Sequence, residues 1–208
     1  MLNLSKLEHY KGNKMRQANI VRNTNETKIS LEINLDGNGK SEIKTGIGFM
    51  DHMLELFTKH SGCDLKIEAN GDLHIDSHHL TEDLGIALGM AIYSAIGDKK
   101  GIKRYGDIIL PMDETLMIAA VDCSGRPFFA WDVIMPQPKV GDWDSELAED
   151  FFRALAINGG LTLHIRMLSG TNTHHIVEAA FKACARALRE ALSDDPREKG
   201  IPSTKGTL

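Results

Sequence analysis

Two stretches, DSHHLTEDLGIALG at 76–89 and NTHHIVEAAFKACARAL at 172–188, set the same polar cluster at the head of an apolar run. Each has two adjacent histidines, with a glutamate three residues after the second. Sliding the chain along itself by 96 positions carries His78, His79 and Glu82 onto His174, His175 and Glu178. The long helical pattern and the strand before it then align without a gap. Three unusual side chains repeated in register identify an internal duplication. The fold class expected is α/β in the α+β sense, a ββαβα-type unit used twice around one core. At this offset His52 falls opposite Ala148 and His164 opposite Glu68, so the repeat does not extend to every histidine.

The pattern extends outward from these helices. Ile29, Leu31, Ile33 and Leu35 alternate with polar residues, marking a half-buried strand from Thr27. DGNG at 36–39 reads as a hairpin turn leading to a second strand through Ile43. A helix is expected over about 49–59, then a strand through Leu65 and Ile67, and a turn at Asn70-Gly71-Asp72. The first HH helix covers about 79–96 and ends at Gly97-Asp98. In the second half, strands fall at about 107–110, 115–122 and 128–134, with a turn at Ser124–Pro127. A proline-containing loop, a helix over about 145–157, a strand over 161–166 and the second HH helix over 174–192 follow. The division expected is an extension (1–15), a first repeat (16–105), a second repeat (106–195) and a non-helical tail (196–208).

The composition excludes several classes of partner. The chain has 208 residues, 42% hydrophobic and 25% charged, with a formal net charge of -5. That charge gives no reason to expect nucleic acid, although a few local cations can still grip a small anion. No apolar run approaches the roughly 20 residues that span a bilayer, so no membrane contact is expected. The N-terminus lacks the apolar centre of a signal peptide. Cys63, Cys123 and Cys184 are scattered, without metal-type pairing, which fits a reducing cytoplasm.

Nine histidines, four of them in the HH pairs, point to metal. With His78 set at 0° on a helical wheel, Glu82 lies at about 40° and His79 at about 100°. Leu80, Leu84, Ala87, Leu88, Ala91 and Ala95 form a stripe on the other face. The second copy repeats this, with Ile176, Ala180, Ala183, Cys184, Ala187 and Ala191 as its stripe. One histidine can share an ion with the glutamate one turn on, while its neighbour points elsewhere. Two copies therefore suit two ions, each with ligands from both repeats or from neighbouring subunits. Imidazole and carboxylate without thiolate suit Mn(II), Fe(II) or Zn(II). A zinc hydrolase helix of the HxxEH type is disfavoured, because position 83 is Asp and position 179 is Ala. A protein whose clusters only staple subunits together is the remaining alternative, and it would leave the tail without a role.

Several further stretches complete a family pattern: RNTNET (22–27), LDGNG (35–39), TGIGFMDHMLELFTKH (45–60), GDLHIDSHHLTED (71–83), PMDE (111–114), DCSGRP (122–127), GTNTHHIVEAAFKACARAL (170–188) and PSTKG (202–206). Spread over nearly the whole chain and in order, they resemble the imidazoleglycerol-phosphate dehydratases of histidine biosynthesis. The resemblance implies a duplicated fold with helices between two mixed sheets, of the ribosomal protein S5 domain 2-like type. It also implies two manganese ions per active site and a homo-24-mer with sites at subunit interfaces. Carried onto this sequence, the family's metal ligands are His52, His78, His79, Glu82, His164, His174, His175 and Glu178.

The implied activity is that of a hydro-lyase converting imidazole glycerol phosphate to imidazole acetol phosphate. The proton to be removed has no carbonyl beside it. Metal coordination of the ring would make imidazolate accessible, letting the ring expel the hydroxyl through a diazafulvene-like intermediate. A carboxylate then removes the side-chain proton. The resemblance gives that acid/base role to Glu26, with Asp113 and Glu114 as weaker, orienting candidates. Substrate contacts fall on Glu26, His52, His60, His78, Glu82 and His174. Phosphate contacts fall on Arg104, Arg126, Lys182, Ser203, Thr204 and Lys205.

Overall fold

A computed structural model describes residues 16–208, and the expected extension at 1–15 lies outside the described residues. The first half runs β1 (Gln17–Asn23), β2 (Thr27–Asn34), β3 (Ser41–Lys44), α1 (Gly48–Ser61), β4 (Asp64–Gly71) and α2 (His78–Ile96). The second runs β5 (Tyr105–Met112), β6 (Thr115–Asp122), β7 (Phe128–Asp132), the short pair β8 (Lys139–Val140) and β9 (Trp143–Asp144), α3 (Leu147–Asn158), β10 (Thr162–Ser169) and α4 (Thr173–Ala191). One sheet has the order β1-β2-β4-β3 and the other β5-β6-β10-β7. In each, three strands are antiparallel and the last is parallel to its neighbour. The halves repeat strand for strand, so the duplication is present in the topology as well as in the histidines.

Each sheet buries one face. Ile29, Leu31 and Ile33 of β2 point inward, as do Met117, Ala119 and Val121 of β6, while their neighbours along the strand are more exposed. That period of two is what a sheet covered on one side requires. The helices fill the space between the sheets and pair across the halves. Helix α2 lies on β1 and β2 but packs against α3, whereas α4 lies on β5 and β6 but packs against α1. The α2–α3 contact is very close: a Cβ at Gly85 would stand 2.5 Å from the Phe151 carbonyl oxygen, and one at Gly89 2.6 Å from that of Leu155. Phe151, Phe152 and Phe181 fill the junction of α3 and α4, with ring centroids 4.7 to 5.3 Å apart.

Four details differ from the sequence reading. Strand β1 was not expected, because QANIVRN mixes polar and apolar residues without clean alternation. DGNG does not make a hairpin: β4 lies between β2 and β3. Pairing β2 with β4 sets Leu31 beside Ile67 and Ile33 beside Leu65 on the buried face, and this long-range register wins over the local turn. The loop is instead tied to Asp64, whose Oδ1 accepts the N–H groups of Asn38 (2.8 Å) and Lys40 (3.0 Å). Asn70 and Gly71 belong to β4, and the turn comes after them. Lastly, α4 is buried beyond its small-residue stripe, because it has β5 and β6 on one side and α1 on another.

The offset between the halves is also not constant. Residues 45–47 join β3 to α1, whereas 133–146, carrying β8 and β9, join β7 to α3. Residues 72–77 join β4 to α2, whereas 170–172 join β10 to α4. The strand and helix of each half therefore align only across a gap.

Candidate metal centre

Asn172 fixes the start of α4, its side chain accepting the N–H groups of His174 (2.9 Å) and His175 (3.4 Å). That cap puts His174 one turn before Glu178, and Glu178 Oε2 lies 3.2 Å from His174 Nε2. The cross-packed α1 then brings His52 Nε2 to 3.7 Å from the same oxygen. His52, His174 and Glu178 each offer a ligand atom within 4.8 Å of the others, so one histidine comes from the first half and two ligands from the second. Glu178 is only 7% exposed. Burial pushes its carboxyl up, but the hydrogen bond and charge of Lys182 (Nζ to Oε1, 2.5 Å), aided by His174, hold it below its ordinary value. A cleft of about 650 Å³ opens beside His52 and His174, walled by Phe49, Leu73, Val140 and Trp143.

The other half builds a counterpart. His78 opens α2, where Asp76 Oδ1 accepts its N–H (2.8 Å), and Glu82 follows one turn on. The residue facing His78 from the cross-packed α3 is Asp150, with its Oδ2 3.7 Å from His78 Nδ1. Asp150 occupies the place in α3 that His52 occupies in α1. Met53 and Leu54 after His52 are buried and Glu55 is exposed, and Phe151, Phe152 and Arg153 repeat that order after Asp150. A glycine with positive φ also follows each helix, Gly62 directly after α1 and Gly160 one residue beyond the Gly159 cap of α3. Sequence reasoning missed Asp150 because a constant offset of 96 sets Ala148 opposite His52. Allowing the offset to change at the 133–146 insertion would have found it. His164 stands apart from both clusters, on the outer face of β10 between inward-facing Leu163 and Ile165, beside the Phe128 ring (5.5 Å).

The second histidine of each pair turns to a carboxylate of its own. His79 Nδ1 lies 2.9 Å from Asp72 Oδ2, and His175 Nδ1 lies 2.8 Å from Glu114 Oε2. A carboxylate only accepts, so Nδ1 carries the proton in both and Nε2 keeps its lone pair; the Nε2 of His175 lies 3.7 Å from Asp113 Oδ2. These hydrogen bonds raise both imidazoles above their ordinary value and lower Asp72 and Glu114. Glu114 is lowered far below the usual carboxylate range, by His175 first and then by the N–H groups of Asn172 and Thr171. Glu26 sits in the β1–β2 turn, where Thr24 Oγ1 accepts the N–H groups of Glu26 and Thr27. Asp83 anchors this turn to α2 through Arg22 Nη2 (2.7 Å) and the Thr27 hydroxyl.

A family model described as imidazoleglycerol-phosphate dehydratase matches residues 45–188. The chain belongs to the imidazoleglycerol-phosphate dehydratase family. The family member from Desulforamulus reducens is 59% identical over 193 residues, 93% of this chain and 98% of its own. That from Dinoroseobacter shibae is 57% identical over 195 residues, 93% of this chain and all of its own. The crystal structure of the dehydratase from Staphylococcus aureus superposes with a TM-score of 0.79 at 46% identity, covering 86% of this chain and 99% of that one. The Pyrococcus furiosus structure gives 0.78 at 40% identity, covering 91% and 100%.

In this dehydratase, five of the residues expected at a phosphate come together away from the histidines. Arg104, Arg126, Ser203, Thr204 and Lys205 line one cleft of about 700 Å³. Arg104 forks onto Asp122 (2.7 and 3.1 Å) and donates through Nη1 to the Pro202 carbonyl (2.8 Å), which ties the tail to the sheet. Lys182 is not among them and stays with Glu178. His60, near the end of α1, is lowered by burial and by the charges of Lys182 and Arg186. No helix among the described residues is long and apolar enough to cross a membrane.

Proposed function

We propose that the chain removes water from imidazole glycerol phosphate to give imidazole acetol phosphate, a step of histidine biosynthesis, in the cytoplasm. The reading rests above all on the trio of His52, His174 and Glu178, split between the duplicated halves, and on the like-placed pair of Asp150 and His78, with Glu82 one helical turn on. Two clusters, one on each pair of crossed helices, support two ions. Thiolate is not on offer, because burial pushes the thiols of Cys63 and Cys123 up to about 11 and about 12. The donors are then imidazole and carboxylate, a set that suits Mn(II). In this reading Asp150 takes the place first given to His164. His79 and His175 keep Nε2 for an ion yet lie outside the His52, His174 and Glu178 cluster, which supports sites completed by neighbouring copies in a homo-24-mer. The proposed repeat boundary, 105/106, falls at the opening of β5.

A divalent ion bound there supplies a Lewis acid for the substrate's ring as water departs. The protein's own groups do the rest. His52, His78, Glu82 and His174 orient the ring from two sides. Glu26, more than half exposed at the mouth of its turn, moves the proton at the side-chain carbon. Arg104, Arg126, Ser203, Thr204 and Lys205 hold the phosphate from their cleft, and Lys182, set apart beside Glu178 with the His60 ring near it, is a sixth proposed contact.

The test is to strip the protein with a chelator, restore Mn(II), add imidazole glycerol phosphate and follow the ketone product. Turnover is expected only with metal. Glu26→Gln is expected to keep its metal content and lose roughly 100-fold or more in kcat, the usual worth of general acid–base catalysis. Parent-level turnover by this variant refutes the acid/base role.

A further inference from the structure

Glu26 and Glu114 hold the same place in the two halves. Each directly precedes the second strand of its sheet and a fully buried threonine, Thr27 or Thr115. Their carboxylates are used in different ways. Glu114 spends both oxygens: Oε2 on His175, Oε1 on the N–H groups of Thr171 (3.1 Å) and Asn172 (2.8 Å). The Glu26 carboxylate has no hydrogen-bond partner among the described residues and stops 4.0 Å from His79 Nδ1. Asp72 already occupies that nitrogen at 2.9 Å.

The difference originates in one residue. Asp72 directly follows β4, and its backbone N–H donates to the Glu26 carbonyl (3.1 Å), so the two are neighbours across the sheet end. The residue that follows β10 is Gly170. A Cβ there would lie 2.8 Å from Thr115 Oγ1 and 2.9 Å from Ile176, so the second half has no room for a matching acid. A register shift between Met167 and Ser169 draws this end of β10 in against β6.

We propose that Asp72 is a positioning residue: it takes over the ring of His79 and thereby leaves the Glu26 carboxylate free for substrate. In the second half the two jobs stay merged in Glu114, which is fully engaged as a holder. The inference rests on the reading of Glu26 as acid/base and adds the reason that this glutamate, rather than its twin, is available. Outer-sphere carboxylates of this kind fix the tautomer and orientation of a ligating imidazole, and their loss costs about 10–100-fold in metal affinity.

The full-length protein is tested as Asp72→Ala and Asp72→Asn, with circular dichroism to confirm folding. Equilibrium dialysis gives Mn(II) affinity, and kcat and KM are measured at saturating Mn(II). Asp72→Ala is expected to bind one Mn(II) about 10–100-fold more weakly. At saturating metal its kcat stays depressed with KM little changed, because Glu26 swings onto His79. Asp72→Asn keeps an oxygen that accepts the Nδ1 proton and is expected to recover most of the loss. Parent affinity and kcat in Asp72→Ala, or Asp72→Asn as poor as Asp72→Ala, overturns the positioning role. Full turnover by Glu26→Gln overturns the acid/base reading itself, whatever affinity Asp72→Ala shows, so the two failures are distinct.

Discussion

Gly85→Ala offers a direct trial of how the helices position Asp150 against His78. The added Cβ would meet the Phe151 carbonyl oxygen at 2.5 Å and the Ala154 Cβ at 2.9 Å, both on α3. Ordinary contact begins near 3.4 Å, so α3 has to withdraw by about 1 Å. Overpacking of this size costs about 1–3 kcal/mol. The better helix propensity of Ala returns about 1 kcal/mol. The net loss of stability is thus modest, about 0–2 kcal/mol. The effect on the site is larger. Asp150 rides on α3 with its Oδ2 3.7 Å from His78 Nδ1. A 1 Å withdrawal opens that gap to about 4.7 Å, whereas donors about 2.1 Å from one ion are at most about 4.2 Å apart. The trio on α1 and α4 is untouched. Metal analysis by mass spectrometry is therefore expected to find one ion per subunit in Gly85→Ala and two in the parent, with only a small change in the urea midpoint. Two tightly held ions in the variant would refute the claim that α2–α3 contact sets the second site.

Two other perturbations address the tail and the acid limit of the fold. Arg104→Lys replaces a three-bond fork with a single ammonium and frees Pro202, so KM for the phosphorylated substrate is expected to rise about tenfold with kcat nearly constant, roughly the 1.4 kcal/mol that one charge-assisted bond contributes; an unchanged KM would separate the tail from phosphate binding. Asp64 is held below its ordinary value of 3.8 by the N–H groups of Asn38 and Lys40, so its contribution to stability is complete above that pH and is lost as pH falls through the lowered value. Hydrogen exchange at Asn38 and Lys40 should therefore accelerate relative to the core below pH 3.8, and Asp64→Asn should abolish that pH dependence.

Much of the architecture was legible because its signals are periodic and local. The small-residue stripes of the two HH helices are all buried, and the helix boundaries fall within about two residues of those expected. The strand partners were not legible, since DGNG carries the same turn chemistry whether β3 returns beside β2 or passes over β4. Register is decided by apolar pairs far apart in sequence, such as Leu31 with Ile67. The first trio could be anticipated from HHxxE plus a histidine on a neighbouring helix. Asp150 was harder to see, because only an offset that shifts at the 133–146 insertion sets it opposite His52, and a carboxylate on a helix face looks like any solvated acid. Asp72 and Glu114 were hidden for the same reason. The PMDE stretch marks Glu114 only as an orienting candidate, because its engagement with His175 depends on the β5–β6 turn meeting the start of α4, 61 positions away.

The crossed pairing of α1 with α4 and α2 with α3 has a consequence for inheritance. A lone copy of the β1–α2 unit contains neither cluster whole, since His52 meets His174 and Glu178, and Asp150 meets His78, only across the halves. A single-copy ancestor could build one only by pairing with itself, and any mutation would then strike both sites together. Fusion into one chain removed that linkage. Position 150 is a carboxylate where position 52 is an imidazole, and an acid follows β4 where a glycine follows β10. Two nearly equal halves were thereby free to become unequal, one residue at a time.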